Sequence, residues 1–335
     1  DRLATLLVLL TSLLGAVVVL YSCAGDDKKG SFFHPLVHFL ILGVNGAFLT
    51  GDVFNLFVFF EVLLIASYSL LMHAGDKHNT RAALQYVILN LIGSSVFLIA
   101  LGVLYGVLGT LNIADLAQKV PLLTGDDVYL AKVGGLLLIV VFALKGALLP
   151  LHLWLPNTYA SALPVVAALF AIMTKVGVYA MLRVYTVIFG DNAGELAHMA
   201  QPWLWGLALA TIVMGAIGVL ASQDFRKLVA NLVIVSVGTL VALVALQNVA
   251  ATAALLYYLV HSTIVCAVLF LLADLVALQR GKVADRLVAG RAVAQPFLLG
   301  ISFVIAALTV VGMPPLSGFV GKIWILKSTL DSEKA

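Results

Sequence analysis

The chain has 335 residues, of which 63% are hydrophobic and only 10% are charged, and its mean hydropathy is +1.13. A soluble domain of this length could not cover its surface with so few charges, so the composition excludes a water-soluble protein. The small net charge of +3 gives no reason to expect a nucleic-acid partner, and the two cysteines, Cys23 and Cys266, provide neither a disulfide framework nor metal-ligand spacing.

The predicted elements are membrane-spanning helices. A bilayer core of about 30 Å needs about 20 apolar residues per helix, and dividing the apolar stretches at polar clusters gives ten spans. They cover residues 3–22, 34–50, 53–72, 82–109, 129–160, 164–189, 202–221, 227–247, 251–278 and 294–330. The predicted fold class is therefore all-α, a polytopic membrane helix bundle.

Two of these spans are too long for one helix and contain breakers. The fifth carries Pro150 and Pro156, and the tenth carries Pro314 and Pro315. Proline removes a backbone donor, and such interruptions survive in lipid only where they face protein or water. Paired broken helices at corresponding positions indicate inverted repeats around an ion path. Two unrelated kinks near loops would give the same pattern.

The loop charges give an independent test of the helix count. One set of alternate loops holds ten basic residues: Lys28, Lys29, Lys77, Arg81, Arg226, Lys227, Arg280, Lys282, Arg286 and Arg291. The opposite set is mainly acidic and has only Lys119, Lys132 and Arg2. Because basic loops stay on the inner side of a membrane, we expect the first set to face the cytoplasm.

Four ionisable residues remain deep within the spans: Glu61, Lys145, Lys175 and Lys322. Each costs about 2.5–3.5 kcal/mol at a helix centre, so they indicate function. Glu61 has no partner on its own helix face, and we expect it to pair with Lys145 across two helices. A static ion pair at Glu61 and interfacial anchoring of Lys145 or Lys322 are the alternatives. Lys175 lies nearest a helix centre, where it cannot reach the interface.

Three further residues give weaker signals. His261 in the ninth span could relay protons, because imidazole titrates near neutral pH, although a hydrogen-bonded structural histidine is the alternative. The same choice applies to His152, just past the first break. Asp52 precedes a helix, which favours an N-cap over an ion-access role.

Four segments of the chain closely resemble the D subunit of Mrp-type Na⁺/H⁺ antiporters. They are GAFLTGDVFNLFVFFEVLL (46–64), TKVGVY (174–179), YYLVHS (257–262) and GMPPLSGF (312–319). The resemblance runs along essentially the whole chain. The antiporter-like subunits of complex I share the scaffold, but their glutamate helix reads differently.

The resemblance implies a larger bundle with two inverted five-helix repeats, of which this chain matches the third to twelfth helices. We then expect a peripheral helix and cytoplasmic loop over residues 1–33, a first repeat over 34–189 and a second, incomplete repeat over 202–335. The chain starts without methionine or signal peptide and stops just after an apolar stretch, so we expect an internal piece of a longer protein.

The resemblance also implies a proton relay through Glu61, Lys145, Lys175 and Lys322, with His261 as a further member. Many relatives carry a lysine where this chain has Cys266, so His261 or water would have to bridge that position.

The function expected is that of a proton-translocating subunit, not an enzyme, in a multisubunit Na⁺ or K⁺/proton antiporter of the bacterial inner membrane. Other antiporter subunits are its expected partners, and no cofactor is implied. The alternatives are a proton-pumping subunit of complex I or a membrane-bound hydrogenase, and a membrane scaffold that transports nothing.

Overall fold

The structure is a computed structural model that describes residues 1–73 and 77–332, without the side chains of residues 77–79. The predicted basic side chain of Lys77 and the last three residues of the second repeat therefore lie outside the described part. Regular structure in the described ranges is helical. The longer helices are α1 (Arg2–Ser22), α2 (Phe33–Leu49), α3 (Val53–Leu71), α4 (Lys77–Leu108), α5 (Ile113–Lys119), α6 (Asp126–Gly146), α7 (Trp154–Ser161), α8 (Pro164–Phe170), α9 (Met173–Val187), α10 (Gln201–Ala221), α11 (Phe225–Leu246), α12 (Val249–Arg280), α13 (Pro296–Val311) and α14 (Ser317–Leu330).

The ten predicted spans correspond to helices of the structure. Within the described residues eight segments are long and apolar enough to cross a membrane, and α2 and α13 are shorter apolar helices. The fifth span is divided into α6 and α7, and the tenth into α13 and α14. The prediction of an all-α, polytopic membrane bundle with two broken helices is confirmed.

Both predicted breaks are built in the same way. The helix before each break ends at a residue with left-handed backbone, Ala147 with φ 60° and Gly312 with φ 82°, and prolines follow shortly after. A left-handed residue ends a helix because the next amide can no longer continue the hydrogen-bond ladder. Pro156 is not a breaker, contrary to the sequence analysis. It lies in the first turn of α7, where proline is tolerated.

A third interruption was not predicted. The sixth span was expected to be continuous over 164–189, but the structure divides it into α8 and α9 at Ala171 and Ile172. The amides of these two residues bond three positions back instead of four, to the carbonyls of Ala168 and Leu169. No proline or glycine marks this tightening, so nothing local in the amino-acid pattern predicts it.

Backbone groups at the breaks find partners on other helices. Thr211 Oγ1 of α10 accepts from Leu149 N at 2.9 Å, and Trp154 Nε1 donates to the Leu144 carbonyl at 3.1 Å. The Tyr159 hydroxyl donates to the Phe170 carbonyl at 2.7 Å. Unpaired backbone groups are very costly in a membrane, so these side chains make the interruptions tolerable.

The α8–α9 segment lies at the centre of the bundle. Its apolar window is 100% buried within the chain, whereas that of α10 is only 22% buried. The segment packs against α1, α2, α6, α11 and α12. A side chain on it is therefore surrounded by protein rather than lipid.

Contacts between loops agree with the assignment of loops to the two ends of the bundle, which was based on their charges. On the basic side, Tyr21 donates to Asp274 at 2.8 Å, and Arg226 pairs with Asp285 at 3.2 Å. On the other side, Asp52 forms a backbone bridge with Asn112. Each contact joins two segments that were assigned to the same end of the bundle.

Candidate functional site

The first cluster joins three helices around Lys145. Lys145 lies at the end of α6, is 5% exposed, and its Nζ donates to Asn90 Oδ1 of α4 at 3.1 Å. Glu61 on α3 is half-buried and accepts a hydrogen bond from the Ser94 hydroxyl of the same α4. Asn90 and Ser94 are one turn apart, so they lie on one face of α4. This helix connects the lysine to the glutamate.

Glu61 and Lys145 interact, but not as a direct ion pair. In the part of the chain that the structure describes, no ion pair within 4.0 Å joins them. The carboxylate nonetheless lies within electrostatic range of the ammonium, and the Phe60 ring centroid lies 5.9 Å from Lys145 Nζ. Asn90 and Ser94 hold the two groups one turn apart on the same face of α4.

The second cluster surrounds Lys175 on α9. This side chain is 1% exposed, and its Nζ donates to Ser236 Oγ of α11 at 2.8 Å. Ser236 in turn donates to the Val233 carbonyl at 2.7 Å. The buried thiol of Cys266 on α12 lies within electrostatic range of Lys175. The lysine that the sequence placed deepest is thus enclosed, with a neutral hydroxyl as its partner.

The third cluster lies at the second break. His261 Nδ1 is 3.1 Å from the Ser317 hydroxyl, and Lys322 lies within electrostatic range of His261. Lys322 Nζ donates to the carbonyls of Val310 at 3.0 Å and Val311 at 2.7 Å. These carbonyls form the C-terminal end of α13, which attracts a cation. Lys322 is exposed on the described chain, so the expectation that it lies deep within a span is wrong.

A cavity of about 320 Å³ connects the second and third clusters. Ser236 and Cys266 line it near Lys175, and His261 and Lys322 line it near the second break. Thr239 and Tyr258 add hydroxyl groups to the wall. The volume is large enough for several water molecules, and the wall supplies polar partners for them.

The two weaker positions lie apart from these clusters. Asp52 caps α3, with its carboxylate accepting from Phe54 N at 2.8 Å and Asn55 N at 2.9 Å. His152 lies between α6 and α7 and is 8% exposed, and its Nδ1 has no hydrogen-bond partner among the described residues. Among the hydrogen bonds of the described residues, none joins Asp52 or His152 to Lys145, Lys175 or Lys322.

The structure adds three polar residues that the sequence analysis did not single out: Asn90, Ser94 and Ser236. Reasoning from burial cost considers only ionisable side chains, whereas each buried lysine here is held by a neutral amide or hydroxyl. The sequence does mark Asn90 and Ser94, since they are polar residues four positions apart within a long apolar span. Nothing about Ser236 distinguishes it from other serines in apolar helices.

The clusters contain groups that can hold and pass protons. No group of three or more His, Cys, Asp or Glu side chains that could hold a metal ion occurs among the described residues. An ammonium that can lose its proton, a carboxylate, an imidazole and hydroxyls are instead arranged from α3 to α14.

Residues 50–334 match the family model described as NADH:quinone oxidoreductase/Mrp antiporter, TM. The chain belongs to this family. Two similar curated proteins are a probable K⁺/H⁺ antiporter D subunit of Rhizobium meliloti and an Na⁺/H⁺ antiporter D subunit of Bacillus subtilis, at 41% and 42% identity over 100% and 97% of this chain. The chain spans 66% and 65% of the length of these two relatives.

Two solved structures are similar to this chain over 99% of its length. The Mrp complex from Dietzia sp. gives a TM-score of 0.86 at 32% identity and is covered over 61% of its own chain. Respiratory complex I from Thermus thermophilus gives 0.83 at 28% identity, with 69% of that chain covered. This family member is accordingly a multi-pass membrane protein, and its bacterial relatives place it in the plasma membrane.

Proposed function

We propose that this chain is the proton-translocating subunit of a multisubunit antiporter that exchanges Na⁺ or K⁺ for protons. The observation that carries the proposal is the pair of buried lysines, Lys145 and Lys175, each bonded to a neutral side chain of a neighbouring helix. A lysine without a tight counter-ion can release its proton, because burial opposes its charge. A structural lysine would instead be neutralised by a fixed carboxylate.

The proposed path runs along the three clusters. Glu61 tunes the charge of Lys145, Lys175 passes the proton along the axis, and waters in the cavity carry it past Cys266 to His261. Lys322 controls one exit at the end of α13. Helices α6 and α9, which carry Lys145 and Lys175, pack closely, since a Cβ on Gly177 would lie 2.7 Å from Gly146 N.

The proposal also covers the two structural repeats of the chain and the proteins with which the chain assembles. Residues 34–189 and 202–335 form two inverted repeats, which the matching construction of the two breaks supports. Relatives are named as antiporter subunits, so this chain acts with other subunits of a membrane antiporter complex. The basic loops face the cytoplasm.

A second candidate is a proton-pumping subunit of a redox complex. An archaeal membrane-bound sulfane sulfur reductase, described as a respiratory membrane complex, gives a TM-score of 0.88 at 26% identity. The same buried lysines would serve there, driven by electron transfer instead of a cation gradient. Similarity to the curated antiporter subunits, at 41% and 42% identity, favours the antiporter.

The test uses the complete complex in proteoliposomes. A Na⁺ or K⁺ gradient should drive proton movement, which a pH-sensitive dye inside the vesicles records. Lys175→Ala removes the titrating group, and Lys175→Arg keeps a charge that does not release its proton. Both variants should assemble and lose the flux. Near-normal flux in Lys175→Arg would exclude Lys175 as a carrier, and co-purifying redox subunits would favour the second candidate.

A further inference from the structure

Helix α4 carries a buried polar stripe. Tyr86, Asn90 and Ser94 follow one another at intervals of four residues and are 1%, 1% and 7% exposed. That spacing puts all three on one face of the helix. Burying polar side chains costs free energy unless each is hydrogen-bonded, and each of these three has a partner on another helix.

The amide of Asn90 is held in one orientation. Its Nδ2 donates to the Tyr86 carbonyl at 2.9 Å, which leaves Oδ1 as the acceptor for Lys145 Nζ at 3.1 Å. A rotated amide would present its own N–H groups to the ammonium and lose both bonds. The helix backbone therefore fixes the position of the lysine's partner.

The same stripe holds the far side of the break. The Tyr86 ring centroid lies 5.0 Å from that of Trp154, whose indole donates to the Leu144 carbonyl at 3.1 Å. Helices α4 and α6 also approach closely at Gly93, where an added Cβ would lie 2.4 Å from Leu144 Cδ2. Contacts on both sides of Lys145 thus fix this end of α6 against α4.

We propose that Asn90 is a positioning residue that holds the Lys145 ammonium against α4, while Ser94 holds the Glu61 carboxylate one turn away. The two opposite charges then sense each other through α4 without collapsing into an ion pair that would retain the proton. The inference rests on the proposed function and adds the residues that set the geometry of its first cluster.

Position 90 is suited to a test of charge, because few ionisable groups compete with a carboxylate placed there for the Lys145 ammonium. Outside α6, the described ionisable residues on the elements that pack against α4 or α6, and on α4 itself, are Glu61 and Tyr68 of α3, Arg81, Tyr86 and Tyr105 of α4, Tyr159 of α7, Lys175, Tyr179, Arg183 and Tyr185 of α9, and Glu195 before α10. Among them, the charge of Glu61 acts on Lys145. A carboxylate placed at position 90 would be closer than that of Glu61.

The test compares Asn90→Asp and Asn90→Leu in the complete complex, with Ser95→Leu as the matched control. Ser95 is the next residue after Ser94 but is exposed and bonds only its own helix, to the Leu91 carbonyl. Asn90→Asp keeps the shape and adds a charge beside Lys145. The new carboxylate favours the protonated form of Lys145. The pH at which flux is half-maximal should therefore rise by about one unit or more.

Asn90→Leu removes the acceptor, and flux at the wild-type optimum should fall about tenfold, because misplacing a reacting group by about 1 Å can cost up to a hundredfold. Ser95→Leu should keep the wild-type rate and pH profile. If Asn90→Leu fails to assemble, the isosteric Asn90→Asp variant still decides.

Lys145→Ala distinguishes failure of the proposed function from failure of the positioning role. If the wild type and Lys145→Ala give the same cation-driven flux, the proposed function fails, and the positioning role fails with it. If Lys145→Ala abolishes flux but Asn90→Asp has the wild-type pH profile, only the role of Asn90 is overturned.

Discussion

Gly177 offers a direct test of the close packing between α6 and α9, the helices that carry the two buried lysines. A Cβ at this position would lie 2.7 Å from Gly146 N and 3.1 Å from both Gly146 Cα and the Lys145 carbonyl carbon, whereas ordinary contact begins at 3.4 Å. All three neighbours are backbone atoms, which cannot rotate away. Gly177→Ala must therefore push the helices apart, at a cost of about 1–3 kcal/mol.

A membrane helix gains no hydrophobic compensation for such a separation, because close approach at small residues is what holds helices together in lipid. The displaced end of α6 carries Lys145 away from Asn90, so flux should fall together with stability. Thermal unfolding of the purified complex and cation-driven proton flux in proteoliposomes measure the two effects.

Gly102→Ala is the matched control for this experiment. Gly102 lies within α4, and nothing is within 4 Å of its added Cβ. Replacing glycine by alanine in a helix stabilises it by up to about 1 kcal/mol, so Gly102→Ala should unfold at the wild-type temperature or slightly above and keep full flux. If Gly177→Ala behaves like Gly102→Ala, the close contact does not position Lys145, and the reasoning is refuted.

Two further predictions concern the loops of the basic end. Burial raises the pKa of Asp285, but hydrogen bonds and the charge of Arg226 outweigh this and hold the pKa below its usual value. A lowered folded-state pKa stabilises the protein above the unfolded value near 3.9 and loses that contribution as the pH falls. Asp285→Asn should therefore lower stability at pH 7 by about 1 kcal/mol, and thermal unfolding of the two proteins should converge below about pH 4. A difference that persists unchanged at acid pH would show that the charge is not responsible. A cysteine at Lys282 should react with an impermeant maleimide only in permeabilised cells, measured in a Cys23→Ser background because Cys23 is exposed. Labelling in intact cells would reverse the proposed orientation.

The amino-acid sequence by itself determined the fold class, the ten spans and the sorting of the loops. These follow from local properties, since each span is set by about 20 consecutive apolar residues and each of the two predicted breaks by its own prolines. The burial cost of charge in lipid likewise selected Glu61, Lys145, Lys175 and Lys322 without any knowledge of their neighbours.

The tertiary structure alone decided which groups these residues meet. Lys145 meets Asn90 55 positions away, Glu61 meets Ser94 33 positions away, and Lys175 meets Ser236 61 positions away. No periodicity within one helix encodes such a contact, because it depends on which faces of separate helices pack together. The division of the central helix at Ala171 has the same origin. There the Phe170 carbonyl bonds the Tyr159 hydroxyl, which belongs to another helix.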